Sequence, residues 1–281
     1  MRAVVCLAVA ALLTAAGPAW AQPKPAQSAA ESVAFWKSVQ ATCDATAAKP
    51  AGDMGKRIAQ AAIEEHARFG GHRIDSDGRI MNFGQTEAEQ SVNPTAELEG
   101  RVGQLAWWRV MAYWRALFGK GAPDKLEVLG FGDATAKTDE KDATPLIRTT
   151  TARLLQAAET EADPEIREVL REAAWRLAMI DTPWSAAFVS YVIRRAGVPE
   201  TAFRFSNAHR GYIYDAFATS IAEVAGKPDA HLFRACPVNT TIPRPGDIIC
   251  HQRERALAGA DDEAVRERIR VELASGGETR S

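Results

Sequence analysis

Cysteine, histidine and tyrosine are scarce in this chain, with four, five and four residues among 281. No run of about 20 apolar residues occurs, so no segment reads as a membrane-spanning helix. Basic and acidic residues nearly balance, 34 against 36, for a formal net charge of −2. No basic patch is interleaved with aromatics, which argues against nucleic acid as a partner. Metal-ligand spacing is missing too: His66 and His72 are separated by a Gly70-Gly71 break. The stretch Asp75-Ser76-Asp77-Gly78 resembles the middle of a calcium loop, but Arg73 and Gly84 stand where its outer ligands would be, so it reads as a turn. Leu129-Gly130-Phe131-Gly132 lacks the Lys and Ser/Thr of a phosphate loop. No metal or cofactor is therefore expected, and no internal repeat is seen.

The first segment carries an address. Met1-Arg2 precedes the apolar run Val4-Val-Cys-Leu-Ala-Val-Ala-Ala-Leu-Leu13, and Ala19-Trp20-Ala21 supplies a small-residue cleavage pattern. This is the layout of a secretory signal, cut after Ala21, and it predicts a periplasmic or secreted protein. Cleavage would leave Cys43, Cys236 and Cys250. An oxidising compartment permits a disulfide, and an odd count leaves one thiol unpaired within a monomer. Cys236 and Cys250 are the nearest pair in sequence, but spacing does not decide which two bond.

Most of the remaining chain has helical periodicity. Val33, Trp36, Val39 and Cys43 predict a first helix, ended by Lys49-Pro50, and Met54 to Phe69 a second, closed by Gly70-Gly71. Residues 95–118 give the longest helical pattern, with Leu98, Val102, Leu105, Trp108, Ala112 and Leu117 as its apolar register. Its aromatics Trp107, Trp108, Tyr113, Trp114 and Phe118 are large enough to seed a core. Residues 119–144 read as a loop, and 149–158 and 164–180 as two more helices. The second of these has an apolar side of Leu170, Ala174, Leu177, Met179 and Ile180. Residues 206–225 form another helix, and 261–273 a charged one. Pro245-Gly-Asp-Ile-Ile-Cys250 is the only convincing strand start.

The most informative stretch runs from Asp181 to Gly197. Pro183 suits a first helical position, where its missing N–H costs nothing. Phe188, Val189, Val192 and Ile193 then recur at helical spacing. Ser185 falls in the first turn, where orphan N–H groups and the helix dipole favour a developing negative charge. A serine there can be a nucleophile or simply a cap. Further on, Phe205-Ser-Asn-Ala-His209-Arg-Gly-Tyr212 places a histidine one turn from a tyrosine. The adjacent Cys250-His251 pair would point to opposite faces of a strand and is not expected to act together.

These three motifs in this order resemble the bacterial family called domain of unknown function 2272, which looks related to the NlpC-type and CHAP-type papain-like amidases. The likeness is dense over residues 173–253. It implies an α+β protein, mostly helical, with a helical N-terminal region over 22–94 and a papain-like domain over 95–281. In those amidases a cysteine nucleophile opens the equivalent helix, so Ser185 takes its place. His209 becomes the base or a residue shaping the pocket, and Asp181, Trp184 and Tyr212 border the substrate. The substrate class implied is an envelope peptide such as peptidoglycan. The papain-like arrangement takes its base from a strand after Pro-Gly-Asp-Ile-Ile, yet no His follows His251, so the domain is expected to be incomplete at its C-terminus. The alternative expectation is a periplasmic binding or scaffold protein that keeps the fold without the chemistry.

Overall fold

A computed structural model describes residues 29–77, 79–82, 106–131, 146–227, 231–250 and 268–270. The expected signal and the charged C-terminal helix lie outside these residues, apart from a helical turn at 268–270.

Eight α-helices are described: α1 (Ala29–Ala47), α2 (Asp53–Arg68), α3 (Ala106–Phe118), α4 (Ala122–Lys125), α5 (Thr151–Ala158), α6 (Pro164–Asp181), α7 (Ser185–Arg195) and α8 (His209–Val224). Two antiparallel hairpins accompany them: β1 (Arg73–Ile74) with β2 (Ile80–Asn82), and β3 (Glu127–Phe131) with β4 (Leu146–Thr150). The chain is mostly helical with small sheets, in line with an α+β class. Local chemistry sets several helix starts. Pro164 opens α6, and the Asp163 carboxylate caps it by accepting from the N–H groups of Glu165 and Ile166. The Asp75 carboxylate accepts from the N–H groups of Asp77 and Arg79 and shapes the β1–β2 turn, as expected for a plain turn.

Five expectations are corrected. Pro245–Cys250 begins with a turn but pairs with no strand among the described residues. The strands lie elsewhere, and β3 occupies part of the segment read as a loop. Leu126 is fully buried beneath that hairpin, and the Thr151 hydroxyl and N–H both donate to the Leu126 carbonyl, joining the two strands at their base. The eighth helix starts at His209 rather than at residue 206. In α3 the buried face is Ala106, Trp107, Val110, Met111, Tyr113 and Trp114, while Trp108 and Leu117 are only partly covered. In α6 the core takes Ala174, Ala178 and Met179, leaving Leu170, Leu177 and Ile180 exposed. Ala174 and Ala178 let α6 lie close to α3, and Leu170, Leu177 and Ile180 face outward. The part of the long helical pattern before Ala106 lies outside the described residues.

Two apolar clusters result. One gathers α3, Leu126 and Val128 with Ala178, Met179 and Ala187; the other gathers Ile58 and Ala61 of α2 with Val192, Ile193, Phe203 and Tyr212. A polar knot joins α2, α3 and α7. Glu65 is fully buried and accepts from Arg109 at 2.6 and 2.5 Å and from the Tyr113 hydroxyl at 2.8 Å. Burial alone would raise its carboxyl. The hydrogen bonds from Arg109, Tyr113 and Arg68, with the charge of Arg109, outweigh that and hold it below its ordinary value.

A disulfide joins Cys43 of α1 to Cys236, across 193 residues of sequence, and Cys250 is a free thiol. Cys236 therefore pairs with the distant cysteine rather than the near one. No helix among the described residues is long and apolar enough to cross a membrane.

Candidate active site

Ser185 is the first residue of α7 and His209 the first of α8, and neither helix start has a side-chain cap. Pro183 sits just before the helix, with Trp184 at the N-cap. By helix geometry the first N–H groups of α7 have no intrahelical acceptor; the ladder begins with Phe188, whose N–H donates to the Trp184 carbonyl at 2.9 Å. Ser185 Oγ lies 2.7 Å from His209 Nε2, and both residues reach solvent.

A buried serine brings the two helix starts together. The Ser190 hydroxyl, 1% exposed, donates to the Ser206 carbonyl at 2.8 Å and accepts the Ser206 N–H at 3.0 Å. Ser206 Oγ in turn accepts the Ala208 N–H at 3.0 Å, turning the chain into α8. The peptide entering α8 is thus fastened to the second turn of α7, which sets the reach from His209 to Ser185.

Tyr212 stands one turn after His209, and its hydroxyl is hydrogen-bonded to His209 Nδ1. The ring is buried and stacked on Phe203 with centroids 5.2 Å apart. Burial, then the nearby Cys250 thiol, raises its phenol well above the ordinary range, so it stays protonated. When Ser185 donates to Nε2, Nδ1 carries the proton and donates to the Tyr212 oxygen. The series Ser185–His209–Tyr212 then has the form of nucleophile, base and orienting group, with a neutral phenol in the third place.

Cys250 arrives on the Pro245–Cys250 segment. The surrounding protein lifts its thiol above the ordinary value, although the residue reaches solvent. A backbone contact docks this segment on α2. Gly246 has φ +95°, and a Cβ there would lie 2.5 Å from backbone atoms of Gly55. Ile248 packs against the second core cluster.

The other two residues named from sequence have firm local partners. Asp181 accepts the Leu129 N–H at 2.9 Å, fixing the end of α6 to β3. Trp184 precedes Ser185 and packs its ring against Phe69, Tyr113 and Phe188. Sequence reasoning missed the Ser190–Ser206 clasp and the buried Glu65–Arg109 pair, since nothing local in Glu64-Glu65-His66-Ala67-Arg68 marks which acid turns inward. Among the described residues no group of three His, Cys, Asp or Glu could hold a metal ion. His66 Nε2 is instead 2.7 Å from the His72 carbonyl oxygen.

Comparison with known proteins finds one family, described as an uncharacterized protein conserved in bacteria (DUF2272), matching residues 102–260, more than half of the chain. That span includes Ser185, Ser190, His209, Tyr212 and Cys250, and leaves out Cys43 and Glu65. No curated protein and no solved structure matches.

Proposed function

The chain belongs to that bacterial family, and we propose that it is an exported cell-envelope hydrolase in which Ser185 attacks an amide carbonyl and His209 is its base. The 2.7 Å approach of His209 Nε2 to Ser185 Oγ carries the reading, because a serine hydroxyl is a weak nucleophile without a base in contact. As Oγ bonds to the carbonyl carbon its proton passes to Nε2, while Nδ1–H remains bonded to Tyr212. The carbonyl oxygen gains the negative charge beside the N–H groups that open α7. Collapse breaks the C–N bond, and the amine leaves with the proton from Nε2. A water then loses its proton to the same nitrogen, attacks the ester, and returns Ser185 as the hydroxyl. Trp184 and Tyr212 would wall the site. Asp181 would border it through its hold on β3.

The substrate class proposed, peptide bonds of peptidoglycan or a related envelope peptide, rests on the resemblance of the sequence motifs to NlpC-type and CHAP-type amidases. The base of this proposal precedes the Pro-Gly-Asp-Ile-Ile segment, on a helix, where those enzymes carry it on a strand after it. Export is supported by the N-terminal signal pattern and by the Cys43–Cys236 disulfide, which suits an oxidising compartment. Release of new amino groups from purified peptidoglycan, with trapping of Ser185 by a fluorophosphonate and mass spectrometry of its peptide, tests the proposal. Unchanged release by Ser185→Ala would overturn it.

A second reading is a non-catalytic envelope binding protein. The neutral Tyr212 behind His209 favours it, since a phenol stabilises an imidazolium less than a carboxylate does. It predicts peptidoglycan binding that survives Ser185→Ala, with no turnover by either form.

A further inference from the structure

Helix α6 turns Ala174, Ala178 and Met179 inward and leaves most of its branched apolar residues exposed. Ile166, Val169, Leu170, Leu177 and Ile180 are 50%, 68%, 44%, 46% and 44% exposed. At 3.6 residues per turn they share one face with Ala173, opposite the face that buries Ala178. Isolated exposed apolar side chains are ordinary, but a continuous stripe along four turns of helix is an interaction surface.

The order of residues along the stripe singles out its occupant. Ile166 and Ile180 lie seven residues before and after Ala173, and Val169 and Leu177 lie four before and after. These four residues match themselves when a second copy runs antiparallel about a two-fold axis at Ala173, with Leu170 level along the axis with Arg176 of the second copy. Ile166 then meets Ile180, Val169 meets Leu177, and the two Ala173 methyls meet at the centre, where their small size lets the helices approach. The flanking charges agree. Glu172 and Arg176 lie along one edge of the stripe, where they already form a pair at 4.0 Å within the chain. In the antiparallel pair, Arg176 comes within about 3 Å, measured along the axis, of Glu172 of the second copy, and the match occurs twice. Each guanidinium then lies between two carboxylates.

We infer that the α6 stripe is the interface of a homodimer of this chain, with the two α6 helices antiparallel about Ala173. The association does not depend on the chemistry at Ser185. A seam of one helix from each chain is smaller than the interface of an obligate dimer and fits a reversible one that separates on dilution.

Sedimentation velocity of the full chain across a dilution series tests the stoichiometry. It should show a dimer that Val169→Glu converts to monomer while circular dichroism is unchanged. Arg176→Glu should weaken the dimer about tenfold by setting like charges together, and the double variant Glu172→Arg/Arg176→Glu should restore it. The register is tested with Ala173→Cys in a Cys250→Ser background. Mild oxidation should give a covalent dimer, whereas Lys56→Cys, exposed on α2, should not. A monomer at every concentration, a dimer indifferent to Val169→Glu, or no Ala173→Cys cross-link would each overturn the inference.

Discussion

His209 and Ser185 each open a helix, and their side chains meet at 2.7 Å between Nε2 and Oγ across 24 residues of sequence. Their meeting depends on the Ser190 clasp, because Ser190 holds the peptide of Ser206 just before α8 begins. The contact is therefore a product of how α7 and α8 are fastened.

With a hydrolase at work, His209→Ala should lower turnover by about 10²- to 10⁴-fold, the usual contribution of a positioned base. Ser185→Ala should abolish fluorophosphonate labelling altogether. Steady-state amine release and intact-mass analysis read the two effects separately. Labelling of Ser185→Ala at the parent's stoichiometry would contradict the nucleophile assignment.

Tyr212→Phe removes only the hydroxyl bonded to His209 and keeps the ring on Phe203. Turnover should drop about tenfold to a hundredfold while KM and the melting temperature stay near the parent's, because imidazole orientation is lost and packing is not. A variant with the parent's turnover number would remove Tyr212 from the relay.

The Glu65 carboxyl is held below its ordinary value of 4.5 by Arg109, Tyr113 and Arg68. A lowered folded-state value means that this stabilisation is complete above the unfolded value and is lost as pH falls through the folded one. Glu65→Gln leaves the Arg109 guanidinium short of its partner and should cost about 3–5 kcal/mol near neutral pH. Urea unfolding should show the gap between parent and variant closing below pH ~4. An equal gap at both pH values would mean that the acid is not charged in the fold.

Reduction of Cys43–Cys236, or a Cys43→Ala/Cys236→Ala pair, should destabilise the protein by about 2–5 kcal/mol, since the bond closes a long loop. Thermal melts with and without reductant measure it. Insensitivity of the parent to reductant would show that the bond is absent in solution.

Gly246→Ala forces a methyl group toward the Gly55 backbone at a position with φ +95°. The docked Pro245–Cys250 segment should lift from α2, at a cost of about 1–3 kcal/mol. Faster modification of Cys250 by a thiol reagent would report the release, while a reaction rate equal to the parent's would count against the docking contact.

Much of the helical framework was legible from periodicity. The helices at Val33–Cys43, Met54–Phe69 and 164–180 stand where the apolar spacing puts them, because caps and breakers act over a few residues. Ser185 near a helix start was legible for the same reason, although the expected start at Pro183 is corrected: the helix opens two residues later, at Ser185, with Trp184 as its N-cap. His209 and Tyr212 could be singled out, but nothing near them in sequence gives the distance to Ser185.

What the sequence determined by itself is therefore local: helix starts and stops, the turn at Asp75, and the serine in the first turn of α7. Tertiary structure decided the pairings. It chose Cys43 over Cys250 for Cys236, turned Glu65 inward and Glu64 outward, and left Ile248 in a segment that pairs with no strand among the described residues, where a strand was expected. It also gave the core side of α6 to Ala174 and Ala178 instead of Leu170 and Leu177, a choice made by how closely α3 and α6 approach. Propensity acts through neighbours along the chain. Contacts between residues far apart in sequence depend on which faces pack together, and periodicity alone does not specify which apolar face of a helix turns inward.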